Sequence, residues 1–322
     1  MVQIKDLPLE IWIAILSHLG PEYFHQDTNR LYVSKRWYEA AFTLFAQHVN
    51  LTPLALLRLT RDESVIKRIQ PHVAKFKIFF PSVSELDETP FAEGRRTKYP
   101  WDWADLVNSS MKTLGTYLTN CPNLESVHIG ARPDPKYVMG LRYLDTISLT
   151  GFLTARAVTE LTYDMGVLPP NLEHSKPDNH LCAHLHALLP QLRKLWLRND
   201  GLCECLLDFP EGTVLPHLEE IIINLSLSGL STKLTVFQAT RRCTTDENIG
   251  KPEPPRPITL VMEDQIKKLA EMAPNARIVR VLATKRLPSL DLSALDGKTG
   301  KWSLVKKDLP WDEEGEPIAE RE

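Results

Sequence analysis

One short pattern recurs along this chain and constrains its fold more than any other feature. It runs proline, any residue, apolar, two residues, apolar, one residue, apolar. It appears as Pro71-His72-Val73-Ala74-Lys75-Phe76-Lys77-Ile78 and again as Pro122-Asn123-Leu124-Glu125-Ser126-Val127-His128-Ile129. Pro190-Gln191-Leu192-Arg193-Lys194-Leu195-Trp196-Leu197, Pro216-His217-Leu218-Glu219-Glu220-Ile221-Ile222-Ile223 and Pro274-Asn275-Ala276-Arg277-Ile278-Val279-Arg280-Val281 continue it. Leu144, Ile147 and Leu149 make a further copy without the proline. Proline ends the segment before it, and the closing alternation suits a strand with one buried face. Helical patterns precede several copies, at Met111–Thr119, Cys182–Leu189 and Asp264–Ala273.

The order helix, proline, strand is similar to that of a leucine-rich repeat. The leading apolar residues Leu124, Leu144, Leu192, Leu218 and Ala276 follow one another in steps of 20, 48, 26 and 58 residues. The short steps fit one repeat of about 20 to 29 residues and the long steps fit two. Pro170-Asn171-Leu172 begins a copy that Ser175 and Pro177 break. Residues 51–284 therefore resemble a degenerate leucine-rich array, which implies an α/β fold: an irregular solenoid of short parallel strands and helices. The other reading is an ordinary α/β domain whose strands follow prolines. In a solenoid the strands line the binding face. The residue between the last two apolar positions of each copy points there: Lys77, His128, Ser148, Trp196, Ile222 and Arg280, with Phe79 and Arg198 one outward position further on. Trp and Arg are frequent hot-spot residues, so His128, Trp196, Arg198 and Arg280 are the candidate substrate contacts. Ser82–Asp105, which carries Trp101 and Trp103, together with Asp164–Asn179 and Arg241–Pro257, reads as loop. Residues 285–322 read as a polar, partly mobile C-terminal tail.

The first fifty residues have a different character. Asp6-Leu7-Pro8-Leu9-Glu10 opens a helix, with proline in the first turn and Glu10 near the positive end of the dipole. Ile11, Ile15 and Leu19, flanked by Trp12 and Leu16, form a wide apolar stripe, and Gly20-Pro21 is expected to end the helix. A polar stretch, His25 to Arg30, separates it from a second helical pattern from about Leu31 to His48, striped by Val33, Trp37, Ala41 and Leu44. So small a unit cannot bury all these groups internally. Either they meet a partner or they pack on the rest of the chain, and the pattern alone does not separate the two.

Leu7-Pro8-Leu9-Glu10-Ile11, Ile15-Leu16, Leu19 and Val33-Ser34-Lys35-Arg36-Trp37 resemble the F-box motif: a Leu-Pro start, an Ile-Leu pair, and a Val-Ser-Lys-Arg-Trp run at the far end. The resemblance covers residues 1–50 and implies a three-helix unit that docks on a Skp-type adaptor and, through it, a cullin. Degenerate leucine-rich arrays follow F-boxes in many fungal proteins. By motif, Leu7, Pro8, Ile11, Ile15, Leu16, Leu19, Val33 and Trp37 are the expected adaptor contacts or the packing behind them. The stretch between Leu19 and Leu31 is longer and more polar than is usual in the family, which implies a short or irregular middle helix. The implied function is substrate recognition in a Skp-cullin-F-box ubiquitin ligase, leading to ubiquitin-dependent degradation of an unknown protein substrate. The alternative is an F-box protein with a non-degradative regulatory or structural role.

Charge and chemistry narrow the remaining classes. A net charge of -3 without a basic stripe argues against nucleic-acid binding. No apolar run reaches a membrane span, and Met1–Asp6 lacks the features of a signal peptide. Five scattered cysteines suit reduced thiols in the cytoplasm or nucleus. His180, Cys182, His184, His186, Cys203 and Cys205 are of zinc-ligating type, but matched pairs are absent; they read as histidines on an exposed helix face with Cys182 turned inward. Gly297-Lys298-Thr299 lacks the earlier glycine of a phosphate loop, since Leu292 holds its place. No catalytic constellation, cofactor motif or metal site is expected, so the chain is read as non-catalytic.

Overall fold

The structure, a computed structural model of the chain, describes residues 7–80, 100–131, 144, 146–155, 157–165, 181–199, 201–226, 241–242, 257–284 and 292–305. It is a mixed α/β fold built on a mostly parallel sheet.

Three helices come first: α1 (Leu9–Ser17), α2 (Gly20–Gln26) and α3 (Lys35–Gln47). Pro8 stands at the N-cap of α1, just ahead of the first turn. Gly20-Pro21 starts α2 instead of merely ending α1: Gly20 takes a φ of 74°, a left-handed conformation open to glycine, and Pro21 fits the first helical turn. A short 3-10 turn, Thr28–Leu31, leads to α3, whose first turn is capped by Ser34 Oγ accepting from the Trp37 N–H at 3.2 Å. The polar stretch is ordered by specific bonds. Arg30 lies 4.1 Å from the Tyr23 ring centre and donates to the Tyr23 carbonyl at 2.7 Å. His25 stacks on Phe45 and donates to its carbonyl at 3.1 Å. Leu16, Phe24, Leu31, Ala40, Ala41 and Leu44 form a small core that belongs to this unit alone.

Helix α3 runs directly into the first strand, so the sheet begins at residue 48, inside the segment assigned to the first unit. Among the described residues the sheet holds nine strands in the order β1 (His48–Leu51), β2 (Lys75–Phe80), β3 (Ser126–Ala131), β4 (Glu160–Met165), β5 (Lys194–Asn199), β7 (Glu220–Asn224), β9 (Ile278–Thr284), β10 (Leu292–Asp296) and β11 (Trp302–Leu304). The run from β1 to β9 is parallel and follows chain order. Two short strands, β6 (Gly201–Leu202) and β8 (Arg241–Arg242), pair separately. Strands β10 and β11 pair antiparallel and fall within residues 285–322, where sequence reading expects a tail.

Connections of one hand between strands added in order place every crossover on the same side. Accordingly α4 (Pro53–Leu59), α5 (Glu63–Ile69), α6 (Pro100–Leu118), α7 (Thr146–Leu153), α8 (Leu181–Leu188) and α9 (Ile258–Met272) lie with one face of the sheet. Met111, Phe152, Leu185 and Ile266 from those helices share a core with Ile78, Ile129, Leu161, Leu197, Ile223 and Val281 from the strands. Between β5 and β7 the described residues hold the short strand β6 and a 3-10 turn, Glu204–Leu206.

Five proline-led copies end in β2, β3, β5, β7 and β9. The copy without proline does not: Thr146–Leu153 is helix α7, and Ser148 is buried. The strand in that interval is β4, whose Leu161 pairs with Val127 and Leu195. Val158, Leu161 and Tyr163 carry the same apolar spacing, with Arg156 in the proline's place. Likewise, residues 100–105 of the first expected loop belong to α6, and Arg241–Arg242 of the third form β8. The segment Pro170–Pro177 lies outside the described residues.

Each step of the array repeats one set of backbone bonds. The N–H groups of Glu125 and Ser126 share the Ala74 carbonyl; those of Thr159 and Glu160 share that of Glu125. The motif recurs at Thr159, Arg193 and Glu219, each accepting from the two residues that enter the next strand. Ala74 in turn donates to Gln47 at 2.9 Å, which ties the helical unit into the series.

Candidate functional site

Two surfaces draw attention. The first lies on the helical unit. Periodicity puts Ile11, Ile15 and Leu19 on one stripe of α1 and Trp12 and Leu16 on another. The structure turns the second stripe inward and leaves the first in solvent. Leu16 is 1% exposed, whereas Ile11, Ile15 and Leu19 are each nearly half exposed. Val33 joins them at 68% and Tyr32 at 72%. Trp37 is half-buried and turned inward: its ring meets Trp12 edge-on at 5.9 Å and its indole N–H donates to the Arg30 carbonyl at 2.6 Å. Leu7 is half-buried and Pro8 exposed. The eight residues singled out from the motif therefore divide into an outward group, Pro8, Ile11, Ile15, Leu19 and Val33, and a packing group, Leu16 and Trp37, with Leu7 between.

This unit is fixed to the sheet. Beyond the continuous α3–β1 backbone, Arg68 of α5 lies 4.3 Å from the Phe42 ring centre, and Glu22 meets His48 Nδ1 at 2.9 Å. The Glu22 carboxyl is held below its usual range, first by a backbone hydrogen bond and then by His48.

The second surface is the sheet face opposite the helices. Register aligns Lys77, His128, Thr162, Trp196, Ile222 and Arg280 in one row. Thr162 takes the place expected for Ser148. The neighbouring rows bring Phe79, Gly130, Asp164 and Arg198 together on one side and Lys75, Ser126, Glu160, Lys194 and Glu220 on the other. Access falls along the row: Lys77 is exposed, His128, Thr162 and Trp196 are half-buried, and Ile222 and Arg280 are buried. Ile222, Leu282, Ala294 and Val305 close the far end with an apolar cluster of their own.

Of the four expected substrate contacts, His128 and Trp196 lie in the accessible half. Arg198 and Arg280 do not. Arg198 is 5% exposed and grips Asp164 with two bonds, at 2.5 and 2.6 Å, so its guanidinium serves the sheet itself. Arg280 is 7% exposed, and burial pulls its pKa down, with Asp296 acting the other way. Lys194 Nζ sits 3.4 Å from the Trp196 ring centre and 3.7 Å from Glu220, while Arg277 also pairs with Glu220. Burial, then Lys77, drives the His128 imidazole down to about 4, Asp164 opposing and Lys194 adding to the shift. It is neutral at pH 7. Sequence reading missed Thr162 and Asp164 because the β4 copy lacks its proline; the Val158-Leu161-Tyr163 spacing is the signal that marks it.

Among the described residues no three His, Cys, Asp or Glu side chains gather as a metal-ion group. Cys182 faces the core, and His186 stacks on Phe209 at 4.2 Å, half-buried, not on an open face. His180 lies outside the described residues. No helix among them is long and apolar enough to cross a membrane. Comparison with protein-family models finds no match to the chain, and comparison with curated proteins finds none.

Proposed function

We propose that this chain is an F-box protein whose helical unit binds a Skp-type adaptor and whose sheet face holds a protein substrate for a cullin-based ubiquitin ligase. One observation carries the reading: α1 exposes Ile11, Ile15 and Leu19, and the approach to α3 exposes Tyr32 and Val33, although the unit has a core of its own without them. Apolar groups left in water beside a finished core suit a partner surface. Full burial of a large aliphatic side chain contributes about 1.5 to 3 kcal/mol, and Ile11, Ile15 and Leu19, already half covered, have about half of that left to gain in a complex.

The remainder is read as a leucine-rich-repeat-like solenoid. Seven parallel strands in chain order, helices on one face and the recurring shared-carbonyl bonds support this. Strands β10 and β11 then cap the last repeat, as terminal units of such arrays must. The accessible part of the opposite face, from Lys77 to Trp196, spans three strand spacings, about 14 Å, and is the proposed substrate surface. Such a receptor does no covalent chemistry. It raises the effective concentration of substrate lysines near the charged ubiquitin carrier.

The test is a pull-down of the full chain against the same chain carrying Ile15→Asp and Val33→Asp. The expected result is an adaptor and a cullin with the first bait only. An adaptor retained by the double variant, or absent from both baits, overturns the assignment. An adaptor without a cullin favours the non-degradative role.

A further inference from the structure

Cys203 and Cys205 frame the turn that follows β6. Cys203 ends extended backbone, and Glu204–Leu206 curls at once into the 3-10 turn, which shortens the span between the two residues. Their sulfurs lie 3.0 Å apart. The turn is clamped from both sides: α9 sends Gln265 Nε2 to the Glu204 carbonyl at 2.9 Å, and α8 sends His186 Nδ1 to the Leu206 carbonyl at 3.3 Å. Leu206 and Leu207 are buried beneath it. The two thiols are thus held face to face, and their environments differ: Cys203 is 4% exposed, while Cys205 is partly open to solvent. Cys182 is fully buried, and burial pushes the Cys121 thiol up to about 11, where it stays protonated and inert.

We propose that Cys203 and Cys205 are an oxidisable dithiol, a modification site that a peroxide converts to an internal disulfide. The solvent-accessible Cys205 reacts first. Its thiolate attacks one peroxide oxygen, the O–O bond breaks, and with proton transfer one water leaves a sulfenic acid. The Cys203 sulfur then attacks that of Cys205, the S–O bond breaks, and a second water departs. The pair gives two electrons and two protons, and hydrogen peroxide becomes two waters. The sulfurs close from 3.0 Å to the bonded distance of about 2.0 Å. This inference is independent of the F-box reading.

The test uses the full folded chain, exposed to hydrogen peroxide, then alkylated and digested with trypsin. Both cysteines fall in one peptide, residues 199–233. The expected product is that peptide two hydrogens lighter and without alkyl groups, restored to double alkylation by dithiothreitol. The Cys205→Ser variant is expected to keep Cys203 alkylated after the same treatment, with its circular dichroism unchanged. Double alkylation after peroxide overturns the proposal. So does a disulfide from this peptide to another cysteine, or overoxidation of Cys205 with Cys203 still alkylated.

Discussion

Asn275 donates its side-chain amide to the carbonyl of Pro216 at 2.8 Å, and Asn123 makes the equivalent bond to Pro71, also at 2.8 Å. In both cases the residue after one copy's proline reaches back to an earlier copy's proline. Gln191 does the corresponding work toward Ala155 and Val158, each at 3.3 Å. The two asparagine bonds are surface bonds, and a typical intramolecular hydrogen bond contributes about 1 kcal/mol. Asn123→Ala and Asn275→Ala are each expected to cost about that much. Their effects should add, because the pairs sit at separate steps of the sheet. Urea unfolding of the two single variants and the double variant measures both points.

Most of the architecture was legible because proline and period-two alternation mark strand entry locally. Five of the strands were found this way. The sixth was misplaced because Leu144, Ile147 and Leu149 satisfy strand spacing and also sit in or beside a helix; three apolar residues do not separate the two periods. Strands β10 and β11 were missed for a related reason: Leu292-Ser293-Ala294-Leu295-Asp296 has too little apolar contrast, and its pairing with β9 is a tertiary fact. At the candidate site, the motif singled out residues on α1 but not which of them face outward. The outward rows of the sheet were predicted from alternation, yet alternation carries no information about Val305 or the Asp164–Arg198 pair, which remove part of that face from solvent.

Helices α6 and α7 cross at glycine. A Cβ on Gly151 would stand 2.5 Å from the Gly115 carbonyl carbon and 2.7 Å from its oxygen, which is backbone that cannot swing aside. Thr119 Oγ1 donates to Gly151 O across the same contact at 2.8 Å. Gly151→Ala is expected to destabilise the fold by about 1 to 3 kcal/mol through overpacking, despite alanine's better helix propensity. A Gly151→Ala thermal midpoint equal to or above that of the parent would contradict the close crossing.

His128 sets a pH dependence. Its folded pKa, about 4, lies below the ordinary value of 6.5, because burial and Lys77 disfavour the charged ring. Between those values the unfolded chain binds more protons than the folded one. Stability is therefore greatest above pH 6.5 and falls as the pH drops toward 4. His25, whose pKa burial also lowers, acts in the same sense. His128→Gln is expected to flatten the slope in this window without removing it. In proton NMR, the His128 ring signals should hold their positions from pH 7 to pH 5; a midpoint near 6.5 would show the imidazole to be solvated.

The division of the α1 surface gives the most discriminating pair of variants. Ile15 and Val33 point into water, so Ile15→Asp with Val33→Asp should leave stability within about 0.5 kcal/mol of the parent. Trp37 is different: its ring fills the space against Trp12 and Phe24, and its indole N–H satisfies the Arg30 carbonyl. Trp37→Ala should cost about 3 kcal/mol and loosen the helical unit. Adaptor capture is expected to vanish in both, but for separate reasons, which circular dichroism and thermal melts distinguish. The surface variant should stay folded and fail to bind; the Trp37 variant should fail to bind because its unit is unfolded or loosened. Undiminished capture by the folded surface variant would mean that the exposed row on α1 is not the docking face, whatever the motif resembles.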